Sequence, residues 1–476
     1  MALPSTALHA LHDQAFRLGD RPALWSKRNG TWLATSWRDH AKRVRHFALG
    51  LVGLGLEPGE TVGLIAFNSD AWVTAHLGAM AAGGIPFGIY VTSSEERVRD
   101  TLAHAGASIA IVQDAELARQ VLALRGALPK LRSVVVIDPA GGLPDGSVGF
   151  NELVARGASG NEQRYWERVD ALRPETVATL VYKGGEGPPR AIMLSHRNLL
   201  WTARKLHLAH GLSEERFSSY LPLAHISEQL ISIIGPMLLT SGQVYFSSGT
   251  DALVSDLREA RPTVFFGVPR VWERFMARAE RLITAVTPSE AKLWGRARRI
   301  STQFHTRQLA GAPVGGLLEA EMTLLRGLVF DRFHARMGLD RCRLFVSATA
   351  PLRREVLDFF LSLDVPIREV YGLTEASGAI AVNIAGATQL GRPGRPLLGV
   401  EVRIADDGEI LARGENVCLG YFREPEASAA LLADGWLHTG DLGELDREGY
   451  LRLLKQQHPA YEPETDDVAR QLRASS

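Results

Sequence analysis

Residues 108–137 read SIAIVQDAELARQVLALRGALPKLRSVVVI, and the fold follows from this stretch. Ser108–Val112 and Ser133–Ile137 are short, unbroken apolar runs, and Ala115–Leu124 between them has a helical pattern. Such runs predict strands buried on both faces. Strand, helix and strand in succession predict a parallel pair joined by a crossover helix.

The unit recurs outward in both directions. Val62–Ala66, Val177–Tyr182, Thr263–Val268 and Arg343–Ser347 are strands of the same kind. Arg97–Ala105 reads as a helix, and Trp37–Gly55 places Val44, Phe47, Ala48 and Leu51 on one helical stripe. The fold class is therefore α/β. Near residue 388 the texture changes: Gly391, Gly394 and Gly399 punctuate the chain, Val400–Ile404 alternates, and Asp407-Gly408, Asp434-Gly435 and Glu448-Gly449 supply turns. We expect units at 1–170 and 171–387, a β-rich subdomain at 388–454 and a short polar tail at 455–476.

Composition narrows the functional classes. The 476 residues are 46% hydrophobic and 22% charged, with 53 basic against 53 acidic groups. No global field favours nucleic acid or an anionic surface. Cys342 and Cys418 make neither a disulfide framework nor a metal cluster, and both are expected as buried thiols. Met1–Arg17 lacks a signal-peptide pattern. The most apolar segments, 75–91 and 230–246, are broken by His, Pro, Gly or Ser. A cytoplasmic protein, with at most peripheral membrane contact, is the expectation.

Three segments carry chemistry. Val177–Asn198, VATLVYKGGEGPPRAIMLSHRN, runs from a strand through a Gly-rich turn into a second strand (Ala191–Leu194) and a helix. Such a turn can offer backbone N–H groups to phosphate, although on its own it is as readily a structural hairpin. Arg368–Gly378, REVYGLTEASG, delivers an aromatic, a hydroxyl and a carboxylate within five residues. Tyr371 suits a flat base, Thr374 a phosphate oxygen and Glu375 a divalent cation; a polar strand end is the plainer alternative. Asp434–Leu451, DGWLHTGDLGELDREGYL, is two tight turns and an aromatic strand, in which Asp441 either brackets backbone or binds a ligand.

Taken together in order and spacing, the three resemble the ANL superfamily of acyl- and aryl-CoA synthetases, luciferases and adenylation domains. The likeness extends to LPLAHISE (Leu221–Glu228), RPTVFFGVPRVWER (Arg261–Arg274), SATAPL (Ser347–Leu352), YGLTE (Tyr371–Glu375) and HTGD (His438–Asp441). LPLAHISE and VPRVWER look most like the long-chain fatty acyl branch. The resemblance implies a large N-terminal domain of two doubly wound, helix-covered sheets plus a smaller β-rich subdomain. It also implies a fatty acid substrate, ATP giving an acyl-adenylate and then AMP, Mg²⁺, and CoA as acceptor.

By the same resemblance Tyr371 and Gly372 belong to the adenine site, Thr374 contacts the α-phosphate and Glu375 ligates Mg²⁺. Thr374 and Glu375 are the implied catalytic pair. Ala348, Thr349 and Ala350 wall the adenine, Ala348 standing where the family commonly has Gly. Asp441 accepts the ribose hydroxyls, and His225 lines the acyl entry. Lys183, Gly184, Gly185, Gly187 and Arg190 form the phosphate loop, with Lys, Gly and Glu in the family's hydroxyl positions and Arg190 in place of its Lys. Glu186 would face a polyanion, a like-charge contact costing on the order of 1–4 kcal/mol. After HTGD the family continues through a hinge, here matched to Lys455, into a mobile C-terminal domain with a catalytic lysine. The basic run beyond the hinge reads Gln456, Gln457, His458 and Pro459 here, and that domain has no counterpart in this sequence.

Three expectations follow: an acyl-CoA ligase relative with weak or assisted adenylation; a non-catalytic binder of acyl ligand, AMP or acyl-adenylate; or an acyl-transfer or assembly subunit completed by a partner protein. CoA use is tied to the first and third.

Overall fold

The structure, a computed structural model, describes residues 4–184, 187–247, 249 and 252–456. Its centre is a seven-stranded sheet in the spatial order 147–149, 133–138, 109–114, 61–65, 85–88, 177–182 and 191–195. All neighbours are parallel except the last pair, where Val177–Tyr182 and Ala191–Ser195 form an antiparallel hairpin around the glycine loop. Every residue of Thr61–Ile65 is buried, as expected for a strand covered on both faces. The 108–137 unit forms as read, with strands Ile109–Asp114 and Ser133–Asp138 parallel in register and helix Ala115–Ala123 between them.

A second sheet has the order 31–36, 22–28, 241–246 and 214–219. The Thr263 N–H donates to the Arg216 carbonyl across 3.0 Å. That bond brings the edge of this sheet to a third one, 264–267, 344–347, 367–371, 381–382 and 395–396. The sheets do not follow the expected division at 170/171. Pro22–Arg28 pairs with Ser241–Phe246, and Val177–Tyr182 joins the seven-stranded sheet. Strand pairing is a long-range choice, so an apolar strand near one end of the chain completes a sheet built from distant residues.

Helix Asp70–Ala81 is buried along its whole length, packing against helix Trp37–Gly53 and strands Pro22–Arg28 and Thr61–Ile65. Its largely apolar surface suits an interior position between layers, and the buried Asp70 at its start is paired with Arg43 at 2.6 Å. Helix Phe150–Ala158 crosses Trp37–Gly53 closely: a Cβ on Gly157 would lie 1.8 Å from the His46 carbonyl oxygen.

The β-rich subdomain is a four-stranded antiparallel sheet, Glu401–Ile404, Glu409–Arg413, Leu437–Leu445 and Leu451–Lys455. Residues 419–422 leave it to run antiparallel along Ala191–Ser195 through Met193 N–H to Gly420 O (2.9 Å), Leu419 N–H to Met193 O (3.0 Å) and Phe422 N–H to Ala191 O (2.8 Å). This graft lays the subdomain against the strand that follows the glycine loop. Lys455 ends the last strand, opposite Leu442; the expected tail beyond Gln456 lies outside the described residues. Cys418 is buried and Cys342 half-buried, a correction for Cys342, whose thiol donates to the Leu344 carbonyl at 3.2 Å just before strand 344–347. Among the described residues no helix is long and apolar enough to cross a membrane.

Candidate nucleotide and acyl site

Three segments far apart in sequence converge beside the glycine loop. Asn198, at the third position of helix His196–His210, uses its side-chain amide to hold the Glu415 and Val417 carbonyls, each at 2.8 Å. Asn416 in turn donates to the Ala379 carbonyl at 2.8 Å, and the Ser377 hydroxyl donates to the Asn416 carbonyl at 2.8 Å. Ser377 takes a left-handed φ of 49°, which lets the chain turn back after Thr374–Ala376. The Cys418 N–H closes the knot on the Glu375 carbonyl at 2.8 Å. These bonds pair the backbone groups that meet here and hold the YGLTE turn, although the Asn416 Oδ1 has no hydrogen-bond partner among the described residues.

Glu375 is the electrostatic centre. Its side chain is 5% exposed, and Oε1 accepts both Lys183 Nζ at 2.6 Å and the Tyr421 hydroxyl at 3.0 Å. Burial, with the adjacent Glu375 charge, raises the Tyr421 phenol well above its ordinary value, so it remains a donor. Lys183 is fixed by its own backbone: its N–H donates to the Arg190 carbonyl at 3.0 Å, and its carbonyl accepts Arg97 Nη2 at 2.8 Å. Arg97 Nη1 also holds the Gly187 carbonyl at 2.8 Å. Gly187 has φ 109°, a conformation that L side chains rarely adopt. Arg190 pairs with Glu424 at 2.9 Å and lies 4.9 Å from the Tyr421 ring centroid. The hydrogen bond to Glu424 raises its already high pKa further. Gly185 and Glu186, both named in the loop, lie outside the described residues.

Of the residues expected to wall the adenine, Ala348 lines a separate apolar cavity, whereas Thr349 and Ala350 line a small cavity of about 60 Å³ together with Pro351, Tyr371, Gly372 and Gly391 among others. The Ser347 and Thr349 hydroxyls beside it have no hydrogen-bond partner among the described residues, which fits a ligand with several ring nitrogens. The positive φ falls on Thr349 at 83°, one residue beyond Ala348. A β-branched residue there is strained. Glu369 backs this wall. Burial pushes its carboxyl up to about 7, against the Leu352 and Gly391 N–H groups, which favour the charged form. Below it the Tyr371 hydroxyl donates to Asp441 Oδ2 at 2.8 Å, both side chains being buried.

An apolar cavity of about 90 Å³ lies on the other side of the YGLTE strand. Its lining includes Leu206, Phe217, Leu230, Ile231 and Phe266, and Ala348, Gly378 and Ala379 bring it to the motifs described above. His207 and His210 also line it, and burial lowers them to about 3 and about 4, so neutral imidazoles face the cavity. His225 caps the short helix Ile226–Gln229 by accepting the Ser227 N–H at 3.2 Å; Ser227, rather than His225, lines the cavity. Small-molecule sites typically measure about 300–1,000 Å³, so a long acyl chain requires side chains such as Ile231 to move.

Residues that the motifs did not single out complete the site: Tyr421, Arg97, Glu424 and Glu369. Tyr421 ends a plain Leu-Gly-Tyr in the β-rich part, Glu424 follows three residues later, and Arg97 sits on a surface helix. Nothing in local spacing marks them.

The unpartnered Ser347 and Thr349 hydroxyls and the Tyr371 ring suit a base, but at about 60 Å³ the cleft must open to admit a nucleoside. A divalent cation does not fit the site as built, because the one carboxylate that the resemblance assigns to Mg²⁺ is already engaged by an ammonium group. Among the described residues no group of three or more His, Cys, Asp or Glu side chains is placed to hold a metal.

Comparison with known proteins places the chain in a family. The AMP-binding enzyme family matches residues 11–422. The chain is 32% identical over 468 residues to the long-chain-fatty-acid–CoA ligase ACSBG2 of Gallus gallus, covering 94% of this chain and 61% of that one. It is 32% identical over 467 residues to the Homo sapiens protein of the same name, covering 94% and 69%. The chain thus spans under two thirds of the length of the chicken relative. Among solved structures, the anthranilate CoA ligase AuaEII in complex with anthranoyl-AMP has the same fold, with a TM-score of 0.72 at 21% identity over 96% of this chain and 78% of that one. The chain belongs to the AMP-binding enzyme family.

Proposed function

We propose that this chain binds a fatty acid and an adenine nucleotide side by side and forms an acyl-adenylate, the first half of a long-chain-fatty-acid–CoA ligase reaction. The observation that carries the reading is the shared wall. Ala348 and Val370 line the apolar cavity, while Thr349, Ala350, Val370 and Tyr371 line the cleft assigned to adenine. An acyl chain in one and a nucleoside in the other would bring carboxylate and α-phosphorus together at Gly372–Thr374.

In that step the carboxylate oxygen bonds to the α-phosphorus, the bond to the bridging oxygen breaks, and pyrophosphate leaves. Two anions must meet, so positioning and fixed donors dominate. Thr374 offers a hydroxyl to the α-phosphate, and Asp441, held by Tyr371, accepts from the ribose. Lys183 brings a positive charge to Glu375 of the same turn. Transfer of the acyl group to CoA belongs to the same proposal.

Exchange of labelled pyrophosphate into ATP, measured with a series of fatty acids, tests it. Fatty-acid-dependent exchange supports adenylation. Its absence, with tight binding of a non-hydrolysable acyl-adenylate analogue, favours a second reading in which the chain binds the adenylate without making it. The specific observation behind that reading is the engagement of Lys183 by Glu375 and of Arg190 by Glu424, which leaves both loop cations already paired.

A further inference from the structure

We propose that Lys183 is a resident counter-ion for Glu375, so that this chain binds a nucleoside monophosphate or adenylate without a divalent cation. The inference rests on the nucleotide-binding reading above and deepens it.

The ion pair is built in. Lys183 Nζ lies 2.6 Å from Glu375 Oε1, and the same oxygen accepts the Tyr421 hydroxyl at 3.0 Å. Lys183 is no wandering surface lysine. The Arg190 carbonyl holds its N–H, and Arg97 holds its carbonyl. The carboxylate is buried while the lysine is one-third exposed, so the ammonium is held by Glu375 and remains reachable from solvent. Mg²⁺ demands near-octahedral oxygens at about 2.0–2.1 Å. At Oε1 that space holds an ammonium and a phenol. A dication there would also sit within a few ångströms of a like charge in a partly buried place.

The charge count sets the ligand class. An ammonium is a compact cation with three donors. One donor on Glu375 leaves two for phosphate oxygens. Lys183 is balanced by Glu375 and Arg190 by Glu424, so neither loop cation is left over for a triphosphate, and a ligand of low charge, an acyl-adenylate or AMP, is the better match. The site as built favours adenylate and AMP over ATP.

Calorimetric titration of AMP into the purified chain, in EDTA and in excess Mg²⁺, provides the test, paired with electron paramagnetic resonance of Mn²⁺ in the presence of AMP. The wild-type Kd is expected to agree within about 2-fold between the two buffers, with no Mn²⁺ bound. Lys183→Ser should bind AMP at least about 10-fold more weakly in EDTA, recover in Mn²⁺, and show bound Mn²⁺. Lys183→Gln, which can still donate to Glu375, guards against a folding defect and should behave as Lys183→Ser. Lys183→Arg, which keeps the charge, should bind AMP in EDTA as the wild type does. Loss of wild-type AMP binding in EDTA, or equal Mn²⁺ binding by wild type and Lys183→Ser, overturns the counter-ion role alone. Absence of AMP binding by every folded variant, with or without metal, overturns the nucleotide-binding reading itself.

Discussion

Tyr371 and Asp441 stand 70 residues apart in sequence, yet the Tyr371 hydroxyl donates to Asp441 Oδ2 at 2.8 Å with both side chains buried. This bond joins the strand that ends in YGLTE to the four-stranded sheet that carries HTGD. Burial and the adjacent carboxylate raise the Tyr371 phenol far above its ordinary value, so it stays protonated and keeps donating. Tyr371→Phe removes that donor and leaves a buried carboxylate one partner short. We expect a loss of about 1–3 kcal/mol in unfolding free energy, measured by urea denaturation. An unchanged midpoint would mean that Asp441 is satisfied without Tyr371.

Thr349 holds φ at 83° in the adenine wall. Relief of that strain by Thr349→Gly is worth about 1–3 kcal/mol, offset by the greater entropy of glycine in the unfolded chain, about 1 kcal/mol. A net gain of about 1 kcal/mol is expected, read as a higher melting temperature. A lower one would show that the Thr349 side chain contributes more than its backbone costs.

Gly157 allows two helices to touch. With a Cβ only 1.8 Å from the His46 carbonyl and 2.7 Å from the Gly50 nitrogen, Gly157→Ala must push helix Phe150–Ala158 off Trp37–Gly53. Overpacking against backbone is expected to cost at least about 2 kcal/mol. Chemical denaturation of the variant beside a Gly53→Ala control, where an added Cβ meets nothing within 4 Å, separates crowding from helix propensity.

Stability should fall as pH drops from about 6.5 toward 4. Burial lowers His40, His210 and His225 to about 4, and His76, His196 and His207 to about 3. Over this window the unfolded chain binds protons at these sites and the folded chain does not, so each can contribute a slope of up to about 1.4 kcal/mol per pH unit. Glu228 and Glu369 act in the opposite sense. Burial raises both to about 7, so the stability they contribute is full below the unfolded glutamate value near 4.5 and is lost as pH rises through 7. Six histidines outweigh two glutamates, and the denaturation midpoint should rise between pH 4.5 and 6.5. A flat profile there would contradict the burial of the imidazoles.

Ile231, half-buried and lining the apolar cavity, is where a larger side chain should block the acyl pocket. Ile231→Trp is expected to weaken fatty-acid binding at least about 10-fold while AMP affinity stays within about 2-fold. Parallel titrations with palmitate and AMP measure both. Equal losses would mean that the two cavities are not separate subsites.

The apolar runs located the strands to within a residue or two, because buried parallel strands need continuous hydrophobicity: Val177–Tyr182 was read with its final bounds, and Ser133–Ile137 grew by one residue. The motifs marked Tyr371, Glu375 and Asp441 because each pairs a distinctive side chain with a turn. The partners of these groups left no such trace. Tyr421 and Arg97 reach the site through the register of residues 419–422 and the placement of one surface helix. The sheet memberships of Pro22–Arg28 and Val177–Tyr182 were equally hidden, since any apolar strand can pair with any other edge.

The sequence by itself determined the α/β class, the strands formed by its continuous apolar runs, and the turns that carry the motifs. Those properties are local, set by hydrophobic period and side-chain chemistry. Only the tertiary structure decided that Lys183 pairs with Glu375, 192 residues away, and that an apolar cavity shares a wall with the cleft assigned to adenine. Charge pairing and cavity shape depend on distances between segments that no local pattern encodes.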